Sequence, residues 1–215
     1  NAMAAPTPVS AYLHSATMVK AGVYLLARLT PILGQTELWM TTLTVVGATT
    51  ALVGGWLAWQ QLDLKKIMAY STISALGTLV FLLGIGTKLA FEAMALFLLV
   101  HSLYKGALFM AAGAIDHEAG TRDISKLGGL ARLMPLTLAG VFLAAMSQAG
   151  IPPLLGFISK ELVYETTLET GSALLLTSIA LVINVFLVFA SAIILVRPFF
   201  SRSQPAAEHI HEAPA

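Results

Sequence analysis

Cysteine is absent from the chain, which excludes disulfides, thiolate metal sites, iron–sulfur clusters and thiol catalysis. Charge is scarce. Asp, Glu, Lys and Arg make up 11% of the 215 residues, against roughly 25% in a soluble domain. The signs nearly cancel, with 12 cations, 11 anions and a net charge of +1, so no basic field exists to steer nucleic acid. No segment shows the strict alternation of a transmembrane barrel strand. Apolar residues fill the chain instead, at 57% with a mean hydropathy of +0.83. These values exclude a soluble globular domain, a disordered tail and a nucleic-acid binder. They leave an all-α, polytopic transmembrane helix bundle.

A membrane-spanning helix needs about 20 mostly apolar residues, because the hydrocarbon core is about 30 Å thick and a helix rises about 1.5 Å per residue. Six stretches meet that length: 9–33, 38–60, 67–86, 91–115, 134–168 and 172–196. The expected organisation is a six-span bundle over 1–202, then a polar segment over 203–215 that is a cytoplasmic tail or the start of a loop to a next span. Lys65, Lys66, Arg122, Lys126, Arg132, Arg197 and Arg202 fall on one side of the membrane, and Arg28 and Lys88 on the other. Seven cations against two make the first side cytoplasmic, with both ends of the segment on it. The opening Asn1-Ala2-Met3 reads either as a tag scar around an initiator Met or as the interior of a longer protein.

Three cations remain, Lys20, Lys105 and Lys160, and all lie inside expected spans. A Lys at the bilayer centre costs roughly 2.5–3.5 kcal/mol on insertion scales, so these must face the bundle interior, water or each other. Snorkelling suits Arg28 and Lys88 near helix ends. It suits Lys105 poorly, since that residue sits mid-span. His101 and Lys105 stand four apart and share one helix face. Two such nitrogens can pass a proton through one water, and Ser102 and Tyr104 can complete hydrogen bonds around them. A metal site fails on ligand count, because no carboxylate or Cys stands beside them. His14 and Lys20, six apart, fall on different faces of a regular helix, with Thr17 between them able to support a bulge. His14 alone reads equally well as a helix–helix hydrogen bond.

The stretch 134–168 is too long for one straight span and is broken at Gly150-Ile151-Pro152-Pro153, followed by Gly156. Irregular backbone at membrane depth is tolerated only where it is buried in protein or lines a wet cavity, which is where transporters place ion sites. Lys160 lies just past the break; Glu161 and Glu165 either partner it or mark the approach to the outer surface. A plain proline kink is the alternative. Asn184 reads as interhelical glue. No cofactor is implied: His117-Glu118 lacks the second His of a zinc helix, and Gly84-Ile85-Gly86 is not continued into a dinucleotide fingerprint.

Four motifs in order resemble the antiporter-like subunits of respiratory complex I and of Mrp-type monovalent cation/proton antiporters. They are residues 5–25 with His14 and Lys20, residues 63–74 opening Asp63-Leu64-Lys65-Lys66, residues 101–109 with His101 and Lys105, and residues 150–160 ending at Lys160. Gly120-Thr121-Arg122-Asp123-Ile124 and His211-Glu212-Ala213-Pro214 make the resemblance strongest to the A subunits of Mrp antiporters, with chain L of complex I as the alternative. The resemblance implies an internal segment of a much longer protein. It would hold helices eight to thirteen of the family core, including most of the second of two inverted repeats and its broken helix. It implies a subunit, not an enzyme, of a hetero-oligomeric complex in the bacterial inner (plasma) membrane that exchanges Na⁺ or K⁺ for H⁺. His14, Lys20, His101, Lys105 and Lys160 would form part of its buried proton axis, with Gly150, Pro152, Pro153 and Gly156 shaping the broken helix. The family's Glu on helix five and Lys on broken helix seven lie outside this segment.

Overall fold

A computed structural model describes residues 6–15, 17–34, 36–202 and 211–212. Asn1-Ala2-Met3 and most of the 203–215 tail lie outside the described residues. Among the described residues eight helices follow one another: α1 Thr7–Ser15, α2 Met18–Leu33, α3 Glu37–Trp59, α4 Leu64–Ile85, α5 Lys88–Ala119, α6 Pro135–Ala149, α7 Leu155–Leu168 and α8 Ala173–Phe200. Among the described residues five stretches are long and apolar enough to cross a membrane: Thr7–Leu33, Glu37–Trp59, Leu64–Ile85, Lys88–Ala119 and Ala173–Phe200. The expected stretch 134–168 divides into α6 and α7 around the Gly150–Pro153 break, where the Pro152–Pro153 bond is cis. The expected stretch 9–33 is interrupted as well, between α1 and α2. There the Thr17 hydroxyl donates to the Tyr12 carbonyl at 3.2 Å, a local side-chain bond that competes with the regular helical ladder.

The helices begin where the sequence supplies caps. The side chains of Thr36, Asp63 and Thr87 accept hydrogen bonds from the N–H groups of Trp39, Lys66 and Ala90, satisfying donors that the first turn leaves free. α4 is the centre of the bundle, in contact with α2, α3, α5 and α8. Its Ile67, Met68, Ala75, Leu79, Phe81 and Leu82 are fully buried.

One end of the bundle is tied together through backbone. Leu64 N–H donates to Arg122 O and Ile124 N–H to Leu62 O, both at 2.9 Å, so the α3–α4 and α5–α6 connections pair at Asp63 and Asp123. Leu130 and Ala131 donate to Pro198 O and Phe199 O at 3.3 Å, which brings the end of α8 to the same place. Lys65, Lys66, Arg122, Lys126, Arg132, Arg197 and Arg202 therefore gather at one end, while Lys88 opens α5 at the other. Asp123 in this cluster takes hydrogen bonds from the Ser125 hydroxyl at 2.6 Å and the Ser125 N–H at 2.9 Å, which hold its carboxyl below the ordinary range.

Candidate functional site

α5 carries the centre of the polar axis. Its 32 residues run unbroken, and His101 and Lys105 sit on its inner face with no solvent exposure at all. The Lys105 amine donates to Ser71 Oγ at 2.5 Å and to Met68 O at 3.3 Å, both on α4. That carbonyl also accepts from the hydroxyls of Ser71 at 3.0 Å and Thr72 at 2.8 Å. The sequence pairs Lys105 with His101 by spacing, and the structure supplies oxygen acceptors from the neighbouring helix. Sequence could not name them, because nothing in residues 63–74 marks Ser71 as facing α5.

Lys20 reaches α5 from the other side. It is 4% exposed, and its amine donates to Leu98 O at 3.1 Å and to the Ser102 hydroxyl. Ser102 thus serves Lys20 rather than the His101–Lys105 pair. Tyr104 packs edge-on to the His101 ring at 5.4 Å, a packing contact. His14 lies on α1 and Lys20 on α2, and the His14 ring stacks on Phe109 of α5 at 5.4 Å. His14, Lys20, His101 and Lys105 are thereby brought together along α5. Both ring nitrogens of His14 and of His101 are buried without a hydrogen bond to protein. An unsatisfied buried polar group costs about 1–3 kcal/mol, so these imidazoles favour water or a mobile proton as partner.

Lys160 stands apart from that group, on the broken helix. Gly150 ends α6 at φ +80°, a left-handed conformation that favours glycine. A Cβ there would sit 2.5 Å from Lys160 Cδ, so the lysine stem lies against the break. Gly156 is needed for close approach: its Cβ would sit 1.7 Å from Ser147 O. The Lys160 amine donates to Asn184 Oδ1 on α8, not to Glu161 or Glu165. Asn184 thus joins α8 to α7 through the Lys160 amine. A cavity of about 20 Å³ beside the pair, lined by Thr78, Phe97 and Tyr164 among others, is large enough for one water. On the two half-helices, Gln148 Oε1, Ser159 Oγ and Thr166 Oγ1 are buried without a hydrogen-bond partner.

Sequence reasoning missed one buried cation. By sequence Lys65 counts only among the cations of the cytoplasmic side, yet it is 3% exposed and pairs with Asp116 at 3.9 Å. The signal lies in Asp63. As the N-cap it fixes the register of α4, which turns Lys66 outward and Lys65 onto the buried face with Met68 and Thr72. Among the described residues, no three His, Asp or Glu side chains converge in a way that could hold a metal ion.

Taken together, the site is a set of buried and half-buried amines and imidazoles, the amines held by uncharged oxygens and the ring nitrogens without a hydrogen-bond partner. Amines and imidazoles in such surroundings can take up and release protons. The profile of the family described as "NADH:quinone oxidoreductase/Mrp antiporter, TM" matches residues 1–190. The chain belongs to that family. Within it, the chain is 52% identical over 170 residues to a probable K(+)/H(+) antiporter A/B protein of Rhizobium meliloti (strain 1021), covering 79% of this chain and 17% of that protein. It is 48% identical over 186 residues to the A1 component of a Na(+)/H(+) antiporter of Staphylococcus aureus, covering 80% of this chain and 23% of that protein. The "Structure of Mrp complex from Dietzia sp. DQ12-45-1b" matches with a TM-score of 0.87 and 45% identity, over 93% of this chain and 22% of that one. The chain thus spans about a fifth of the length of the family members it matches, and it shares their all-helical membrane fold.

Proposed function

We propose that this segment is the proton-carrying part of one subunit of a multisubunit secondary transporter that exchanges Na⁺ or K⁺ for H⁺. Within that reading, residues 1–202 form one membrane bundle with the seven-cation end toward the cytoplasm, in a bacterial plasma membrane. His14, Lys20, His101 and Lys105 carry protons along α5, and Lys160 links that line to one surface beside the break. The observation that carries the reading is the chemistry of the axis. Lys20, Lys105 and Lys160 are each held by an oxygen of a neighbouring helix that carries no charge. A Lys with a permanent counter-ion would stay charged; one held by a carbonyl, hydroxyl or amide can give up its proton and take it back. The high identity to proteins named as antiporter components supports the same conclusion.

Hard monovalent cations favour several oxygen ligands, and this axis is mostly nitrogen. The cation is therefore assigned to another part of the complex. Each proton moved with the membrane potential supplies about 2.3 kcal/mol per 100 mV. The test uses everted vesicles containing the full complex, energised with a respiratory substrate and followed by acridine-orange fluorescence. Addition of NaCl or KCl should reverse the quenching, and Lys105→Ala should abolish that response while the complex still assembles. Normal antiport in the variant would sink the reading. NADH-driven acidification with no salt response, lost in the variant, would move the chain to the redox-driven branch of its family.

A further inference from the structure

The proposed proton line uses Lys20, Lys105 and Lys160, and the structure buries one more lysine outside it, Lys65. Among the described residues Lys65 is the one buried lysine with a carboxylate partner, Asp116 of α5. Asp116 is not closed off. It lies with Asp63, Arg122 and Asp123 on the wall of an open cavity of about 570 Å³ at the basic end of the bundle. Arg122 pairs with both Asp116 at 3.8 Å and Asp63 at 3.6 Å. Lys66 faces the same cavity, and the next residues of α5, His117 and Glu118, pair with each other at 2.9 Å. On its inner side Lys65 is one helical turn from Met68, whose carbonyl receives the Lys105 amine. Three residues of α4 amount to about 4.5 Å of rise.

We propose that the Lys65–Asp116 pair is the gate through which a proton passes between the open basin and Lys105. The proposal rests on the proton-carrying role of Lys105. In the inward direction, the Asp116 carboxylate takes a proton from basin water. Its hold on Lys65 falls, and the Lys65 ammonium passes its own proton along the α4 face to the neutral Lys105 amine. Lys65 then recovers the proton from Asp116. One proton has moved from water to Lys105, and the gate is left as it began, ionised on both sides. Between transfers the ion pair keeps the buried line from short-circuiting to the surface. Arg122, tied by its carbonyl to Leu64 at the start of α4, keeps Asp116 within reach of the basin.

A purely structural clamp makes a different forecast, and an apolar replacement separates the two. Exchanging a buried ion pair for apolar residues of similar size is often neutral or favourable for stability. In the full complex, the double variant Lys65→Met with Asp116→Leu should assemble at the normal level yet lose at least tenfold in antiport rate. Asp116→Asn, which keeps the shape and removes the proton acceptor, should lose rate and change the pH profile of antiport; Asp116→Glu should restore both. A double variant that transports at the normal rate overturns the gate. Should that variant fail to assemble, Asp116→Asn decides: normal rate and pH profile overturn the gate, and loss of both upholds it. Lys105→Ala runs in the same assay. Loss there with normal transport in the pair variants sinks the gate alone, whereas normal transport in Lys105→Ala sinks the reading beneath it.

Discussion

α3 and α4 meet backbone to backbone, whereas α6 and α7 meet the bundle through side chains, apolar ones such as Val141, Ala144 and Val163 and polar ones whose hydrogen bonding is incomplete. In the first pair, Cβ atoms on Gly47, Gly77 and Gly84 would lie 2.3 Å from Phe81 N, 2.4 Å from Ala51 N and 2.3 Å from Thr44 N. Ser74 Oγ donates across the same seam to Ala51 O at 2.8 Å. Small residues of this kind let membrane helices pack closely where no hydrophobic force drives them together. In the broken helix, Gln148 Nε2 reaches Leu187 O at 3.4 Å while its own oxygen stays free, and Ser159 and Thr166 have unused hydroxyls. The first region allows one geometry. The second has spare hydrogen-bonding capacity, so its polar groups can be satisfied in more than one arrangement. Lys105 donates to the rigid α3–α4 frame, and Lys160 rides on the adaptable half-helix. For the proposed proton line, the first region gives a centre that keeps its spacing and the second an end beside the break.

The comparison breaks first at the rigid seam. Gly77→Leu puts a side chain where the backbone of α3 stands, and backbone cannot step aside as a side chain does. The cost should exceed the roughly 1–3 kcal/mol of ordinary overpacking. The full complex should fail to assemble on native gels. A stably assembled, active variant would mean that the α3–α4 distance is not fixed after all.

Much of this is legible in the sequence, and the limit is physical. Apolar runs locate the helices because the lipid reads only length and hydropathy. The Gly150–Pro153 break is legible because proline removes donors wherever it stands. Lys20, Lys105 and Lys160 are legible because a charge in an apolar run needs a reason. Their partners are not. Ser71, Ser102 and Asn184 are ordinary polar residues until the packing of α4, α5 and α8 brings them to an amine. Lys65 is hidden for the opposite reason: beside Lys66 it reads as one more cation of the cytoplasmic side, and only the register set by Asp63 separates the two.

A smaller effect is expected at the break. Gly150→Ala forces a Cβ residue into a left-handed conformation, at about 1–2 kcal/mol, and pushes directly on the Lys160 stem. Assembly should persist, since this half-helix adapts. If that energy appears in the transport step, antiport should slow by roughly 5–30-fold. Combining Gly150→Ala with Lys160→Ala sharpens the point: the double variant should be no slower than Lys160→Ala alone. Independent, multiplying losses would show that the break acts on something other than Lys160.

The smallest effect lies at the start of α6, where the adaptable element is tethered. Met134 is the N-cap residue there and offers no side-chain cap. The missing cap comes from far along the chain. Glu212 accepts from Leu136 N–H at 2.9 Å, Thr137 N–H at 3.2 Å and Thr137 Oγ1 at 2.5 Å. A carboxylate on the first N–H groups of a helix satisfies free donors and complements the dipole, and losing such a cap costs about 1 kcal/mol. Glu212→Ala should therefore lower the thermal midpoint of the purified complex slightly, with assembly intact. Thr137→Val tests whether the contact is the cause. In a double-mutant cycle, residues that share a network deviate from additivity by about 0.5 kcal/mol or more, while independent sites add within about 0.3–0.5 kcal/mol. Non-additive losses would fix Glu212 as the tether of the broken helix; simple additivity would detach the tail from α6 and leave the half-helix held only by its own side chains.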